Sequence, residues 1–253
     1  MHTPILIANW KMQLSFEESI ETAKAIERGI PGTGFAGQVV LCPTFPMLAA
    51  VASIRRRVAV GAQDCFWEAR GAFTGEVSAH VLHDIGCRYV IIGHSERRAL
   101  GESDADVSKK LRAALAAGLT PILCIGETAD ERQQQKHHIV IARQLATAVD
   151  GIELSGKTQA IMIAYEPVWA IGTGHAVNPE QIREARAVML NALREYFHAD
   201  RIAQSIRIIY GGSVDQGNIT AIIHDGQMEG VLVGSASLKS DNVLAMMRAL
   251  ASL

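Results

Sequence analysis

Apolar residues come along this chain in eight short runs, separated by longer stretches that mix apolar and polar positions. The runs are Ile5–Ala8, Val39–Cys42, Val58–Val60, Tyr89–Ile92, Pro121–Ile125, Ala160–Ala164, Ile206–Tyr210 and Gly230–Val233. They are close to continuous rather than alternating, which marks strands covered on both faces, as in a parallel sheet. The stretches between them carry helix signals. Ser15-Phe16-Glu17-Glu18 and Thr128-Ala129-Asp130-Glu131 fit the capping box, and Asn178-Pro179 offers an N-cap followed by proline at the first helical position. Val107–Leu115 places its apolar residues on one helical face. No Pro- or Ser-rich linker or change in composition divides the chain. Eight strands alternating with helices predict an α/β fold, a (β/α)8 barrel with a parallel eight-stranded core, as one domain over residues 1–253. A doubly wound open sheet is the alternative.

One stretch departs from this alternation. Ile161–Ala164 reads as a strand, Tyr165-Glu166 ends it, and Pro167 follows, where a helix does not easily start. Val168, Trp169, Ala170 and Ile171 are too apolar for an ordinary solvated loop, and Gly172-Thr173-Gly174 closes the segment. A segment rigid in its middle and hinged at Pro167 and at the two glycines reads as a lid. A carboxylate at the base of a lid, Glu166, is a candidate general base, because closure strips water from it. The alternative is a surface Glu166 with the segment packed on a neighbouring subunit.

Composition narrows the class of function. With 49% hydrophobic and 20% charged residues over 253 positions, the chain has material for a large core. A formal net charge of -2 argues against nucleic acid or a membrane surface as the main partner. Any anionic substrate must then be held by local dipoles and a few cations. Met1-His2-Thr3-Pro4 carries no signal-peptide pattern, and no apolar run approaches the roughly 18 residues of a membrane span. Cys42, Cys65, Cys87 and Cys124 show no C-x-x-C spacing, so reduced thiols in a cytoplasmic protein are expected. The pair His137-His138 cannot share a helical face and reads as surface histidines.

In a barrel, chemistry belongs at the C-terminal ends of the strands. Those ends read Asn9-Trp10-Lys11 after strand one, Gly93-His94-Ser95-Glu96-Arg97-Arg98 after strand four and Gly126-Glu127 after strand five. They continue with Glu166 after strand six, Gly211-Gly212-Ser213 after strand seven and Gly234-Ser235 after strand eight. Each has a plain reading as a turn or a solvated side chain, but together they put polar groups on one rim. Glycine loops after strands seven and eight let backbone N–H groups approach an anion, a recurrent phosphate site in barrel enzymes. Gly172 in the lid would close over the same anion. A small phosphorylated substrate follows.

The segments Ala8–Lys11, Gly93–Arg98, Ala164–Gly174 and Tyr210–Val214 resemble, in order and spacing, the signature segments of the triosephosphate isomerase family. The resemblance spans essentially the whole chain and implies a TIM-barrel isomerase, without metal or cofactor, that interconverts dihydroxyacetone phosphate and glyceraldehyde 3-phosphate through a cis-enediolate in glycolysis and gluconeogenesis. By the same resemblance Glu166 is the base and His94 the electrophile, kept neutral at the helix start Ser95-Glu96-Arg97. Lys11 stabilises developing negative charge, Asn9 donates beside it, and Glu96 holds the lysine in place. Gly172, Ser213, Gly234 and Ser235 supply the phosphate-binding backbone.

Two departures stand out. Ser235 replaces a second glycine found in many relatives, and it keeps the backbone N–H that the contact needs. The long loop Asp64–Gly75 differs around Phe66 and Trp67; in the family it docks into the partner of a homodimer, with Thr74 at its tip beside the partner's site. A metal-dependent or Schiff-base sugar-phosphate enzyme, or a non-catalytic phosphate binder, would share the phosphate loops. Neither needs the set Glu166, His94 and Lys11.

Overall fold

The computed structural model describes residues 3–154, 159–171 and 177–252. Eight strands close into one parallel barrel in sequence order: β1 (Ile5–Asn9), β2 (Gln38–Cys42), β3 (Ala59–Ala62), β4 (Tyr89–Ile92), β5 (Thr120–Ile125), β6 (Ile161–Tyr165), β7 (Ile206–Tyr210) and β8 (Gly230–Val233). Closure is completed by β1 pairing with β8, Ile5 opposite Gly230 and Ala8 opposite Val233. The open-sheet alternative is thereby excluded. One strand sits differently from the sequence expectation. The apolar run Val58–Val60 becomes a strand over Ala59–Ala62, because pairing with β4 aligns Gly61 with Tyr89 and Ala62 with Val90.

The near-continuous apolar runs are explained by two cores. Ile5, Ile7, Val40, Cys42, Ile91, Ile122, Cys124, Met162, Ala164, Ile209 and Leu232 form one buried cluster. Their alternate neighbours, such as Leu6, Ala8, Leu41, Val90, Leu123, Ile163 and Ile208, join the larger cluster that includes helix residues. Successive side chains on a strand point to opposite faces, so the smaller cluster fills the barrel and the larger lies between sheet and helices.

The helix signals act where the sequence put them. Ser15 and Thr128 each close a capping box with the glutamate three residues on, and Asn178 caps the helix Pro179–Leu193 with proline at its start. Each such cap contributes about 1 kcal/mol. His137 departs from a free surface histidine: its side chain is only 12% accessible and its Nε2 lies 3.2 Å from Glu184. Among the described residues, no helix is long and apolar enough to cross a membrane, and no cluster of His, Cys, Asp or Glu is placed to hold a metal.

Candidate active site

The inward alternation of the strands decides which rim residues enter the barrel mouth. Asn9 continues the series Ile5, Ile7, and Glu166 continues Met162, Ala164. Both are buried, at 5% and 2% exposure. Each sits at a strand end with its side chain on the barrel side, where water is scarce and an electrostatic contact counts for more.

Lys11 follows with φ of 50°, a left-handed conformation that costs a non-glycine residue roughly 1–2 kcal/mol. Its N–H donates to Asn9 Oδ1 at 3.1 Å, and its carbonyl accepts from Gln63 Nε2 at 2.9 Å. Those contacts hold the turn that throws the side chain across the mouth. There Nζ meets Glu96 Oε1 at 2.6 Å.

His94 occupies the N-cap position of the short helix Ser95–Ala99. Its Nδ1 accepts the Glu96 N–H at 3.2 Å, so Nδ1 carries no proton and Nε2 is the donor atom. Nε2 lies 3.4 Å from Glu166 Oε1, while Glu166 Oε2 accepts the Ser95 N–H at 3.0 Å. Glu166 Oε1 is buried and has no hydrogen-bond partner, a saturable acceptor at the centre of the site. Two glycines make room for this residue, one for its side chain and one for its backbone. A Cβ on Gly211 would stand 2.8 Å from Glu166 Cγ, and one on Gly126 would collide with the Glu166 carbonyl.

Opposite these groups lie the loops after β7 and β8. Ser213 Oγ donates to the Ala170 carbonyl at 2.7 Å and so ties the β7 loop to the lid. No acceptor within the described residues takes the N–H groups of Ser213, Gly234 or Ser235. Ser235 opens the turn Ser235–Ser237, where first-turn N–H groups have no partner of their own. A cavity of about 260 Å³ brings the set together: Asn9, Lys11, His94, Glu166, Ile171, Ser213, Gly234 and Ser235 all line it. Glu96 does not line it and reaches the site through Lys11 and through its backbone N–H to His94.

Of the lid, Pro167, Val168, Trp169, Ala170 and Ile171 are described; Gly172, Thr173 and Gly174 lie outside the described residues. Val168–Ala170 forms a single 3₁₀ turn directly after Pro167, closed by Ala170 N–H to the Pro167 carbonyl at 2.8 Å. Its anchor is a residue to which the sequence assigned no role. Glu127 is fully buried, accepts Trp169 Nε1 at 2.9 Å and the Tyr165 hydroxyl at 3.1 Å, and has Arg132 at 3.6 Å. The Tyr165 hydroxyl is pushed far above its ordinary range, by burial first and then by the Glu127 charge. The available signal was position alone: Glu127 lies two residues beyond the outward-facing Ile125, on the side where the lid returns.

Cys124 was read in the sequence as a reduced thiol, with no place at the site. It is buried in the barrel below Glu166, and its thiol is held well above the ordinary range by burial and then by the Glu166 carboxylate. The loop Asp64–Gly75 is stiffened from within. Phe66 stacks against Trp67 and Phe73 with ring centroids at 4.2 and 4.8 Å, and Lys109 Nζ lies 4.8 Å from the Trp67 ring centre. Phe66 and Trp67 are thus half-buried by their own chain, while Phe73 and Thr74 remain exposed. At the loop's base Asp64 accepts from Lys110 at 2.7 Å and pairs with Arg97 at 3.0 Å, and Lys110 also pairs with Glu102.

The family model described as triosephosphate isomerase matches residues 4–250. The triosephosphate isomerase of Alcanivorax borkumensis is 44% identical over 253 residues, covering 98% of this chain and 98% of its own. That of Pelobacter propionicus is 43% identical over 249 residues, covering 97% and 98%. The crystal structure of triosephosphate isomerase from Bartonella henselae aligns with a TM-score of 0.85 at 33% identity, covering 98% of both chains.

Proposed function

The chain belongs to the triosephosphate isomerase family, and from that premise we propose that it interconverts dihydroxyacetone phosphate and D-glyceraldehyde 3-phosphate by proton transfer through a cis-enediolate. The observation that carries this reading is the convergence of Glu166, His94 Nε2 and Lys11 on one cavity whose far wall holds the N–H groups of Ser213, Gly234 and Ser235, which meet no acceptor among the described residues.

In this reading the phosphate sits against those N–H groups and the three-carbon chain extends toward His94. Glu166 leaves the Ser95 N–H, takes a proton from one carbon and returns it to the next. His94 Nε2–H donates to the carbonyl oxygen, the hydroxyl proton of the neighbouring carbon passes to that oxygen through the imidazole, and Lys11 with Asn9 stabilises the charge that develops on both oxygens. Glu96 keeps the Lys11 ammonium at the mouth. The lid, pivoting at Pro167 and at Gly172 to Gly174, shuts water out while the enediolate exists. No step calls on a metal or cofactor.

The same proposal makes the active species a homodimer, with the loop Asp64–Gly75 inserted into the partner and Thr74 near the partner's site. Met12, Phe16, Phe45 and Phe73 support it, because they are exposed large apolar side chains on or just after loops that follow the adjacent strands β1, β2 and β3. Isolated monomers seldom leave such a group uncovered. A place in cytoplasmic glycolysis and gluconeogenesis goes with the reading, and four free thiols suit a reducing compartment.

The test is a coupled assay of each triose phosphate in metal-chelated buffer made in deuterated water. Turnover with solvent deuterium carried onto product carbon is expected. Absence of turnover, or turnover with complete internal transfer of hydrogen as in a hydride shift, would overturn the proposal.

A further inference from the structure

The opposite end of the barrel carries a second cleft, about 360 Å³ in volume and lined by Lys24, Glu27, Arg28, Ser53, Arg56 and Arg57 among others. It lies where the helices Phe16–Gly29 and Leu48–Ile54 end and the chain turns into β3. Its charge is one-sided. Lys24 pairs with Glu21 at 3.1 Å, but no carboxylate among the described residues is within ion-pair distance of the exposed Arg28, Arg56 or Arg57.

Glu27 offsets one of these charges but pairs with none of the guanidinium groups. It is 6% exposed, and its Oε1 is used by the backbone N–H groups of Arg56, Arg57 and Val58 at 2.7, 2.9 and 2.9 Å. The carboxylate therefore acts as a clamp on the Arg56-Arg57 backbone, so that both side chains leave from fixed positions. Helix ends do not cancel the remainder. Two helix C-termini present roughly half a negative unit each, and with the Glu27 carboxylate they offset about two of the three unpaired guanidinium charges, which leaves the cleft cationic.

Guanidinium forks match phosphate oxygens two at a time, and a concave wall of one sign concentrates counter-ions. We propose that this cleft binds a small polyphosphate anion, of diphosphate to triphosphate size, at a site separate from the catalytic cavity. A single nucleic-acid strand is the less suitable occupant: the lining holds no aromatic side chain on which a base would stack, and Glu21 bounds the cationic area.

The test is calorimetric titration with inorganic tripolyphosphate in magnesium-free buffer at about 0.1 M salt, with the catalytic site kept filled by excess triose phosphate. The parent should bind one tripolyphosphate per chain, and the triple variant R28Q/R56Q/R57Q should bind it about tenfold more weakly or worse. R28K/R56K/R57K, which keeps the charge, should retain part of the affinity, and isomerisation rates should be alike in all three proteins. Equal affinity in the parent and the glutamine variant, or no binding by the parent, would overturn the site. A short single-stranded RNA of mixed sequence that displaces tripolyphosphate at lower concentration would overturn the small-anion assignment in favour of nucleic acid.

Discussion

Glu166 and Ser95 are joined by a 3.0 Å hydrogen bond from the Ser95 N–H to Glu166 Oε2, across 71 positions of sequence and between strands that are not neighbours. The bond ties a carboxylate from the end of β6 to the helix that His94 caps, and it sets the reach from which the carboxylate must move. Glu166→Asp withdraws the carboxylate by one methylene. A misplacement of about 1 Å costs on the order of 100-fold, so kcat should fall by about that factor while affinity for a phosphate-bearing inhibitor survives. Near-normal kcat would remove Glu166 from the role of base.

Lys11→Met keeps the length of the side chain and removes its charge. The residue is part of the rim and not of either core, so the variant should fold with its thermal transition little changed. Its kcat/KM should drop by at least about 100-fold, the scale of losing one preorganised electrostatic contact. A folded variant within a few-fold of the parent would refute the electrostatic role.

Assembly is tested at Thr74, which is exposed at the end of a loop stiffened by the Phe66, Trp67 and Phe73 cluster. Thr74→Arg places a long charged side chain at the proposed contact. Sedimentation should show a dimer for the parent and a monomer with poor activity for the variant. A parent protein that is monomeric at micromolar concentration would contradict the proposed interface.

Lys110 predicts behaviour at high pH. Burial alone would lower its ammonium, but the Asp64 and Glu102 carboxylates outweigh burial and hold it above its ordinary 10.5. A cation bound more tightly by the folded chain adds stability that is full below 10.5 and is lost as pH rises through the higher folded value. Lys110→Met should cost roughly 3–5 kcal/mol at neutral pH, because it leaves buried carboxylates without this partner. The gap between parent and variant in urea unfolding should narrow above pH 10.5. A pH-independent gap would show that packing, not charge, is what Lys110 supplies.

The thiols give a chemical readout of the same folded state. All four cysteines are free and buried. Cys65 is pushed up to about 12 by burial and the Asp64 charge, and Cys87 to about 11 by burial that Arg55 only partly offsets. Thiolate is the reactive form, so the native protein at about pH 8 should react with a disulfide reagent only after unfolding, when four thiols appear. Above about pH 9 the unfolded chain ionises its thiols first, and stability should fall with pH from there. Fast modification of any one thiol in the native protein would show that its site opens.

Much of this protein was settled by residues close together in the chain. Strand runs, the capping boxes at Ser15 and Thr128, and the Asn178-Pro179 helix start depend on neighbours within about four positions, which a sequence displays directly. The rim residues were legible by position, because chemistry in a parallel barrel collects at the C-terminal strand ends, and their roles by the resemblance of segments such as Ala8–Lys11 and Gly93–Arg98 to one family. What the tertiary structure alone decided involves partners far apart in sequence. Lys11 meets Glu96 across 85 positions, Trp169 meets Glu127 across 42, and Lys110 meets Asp64 across 46. A carboxylate such as Glu127 looks the same in sequence whether it is solvated or buried under a lid, because its environment is set by which loops barrel closure brings together. The same holds for Phe66 and Trp67, whose covering by their own loop depends on how residues 64–75 fold back, and for Cys124, which comes to lie beneath the base only when β5 and β6 pair. Local pattern chose the elements, and the burial created by closing the sheet chose what their end residues do.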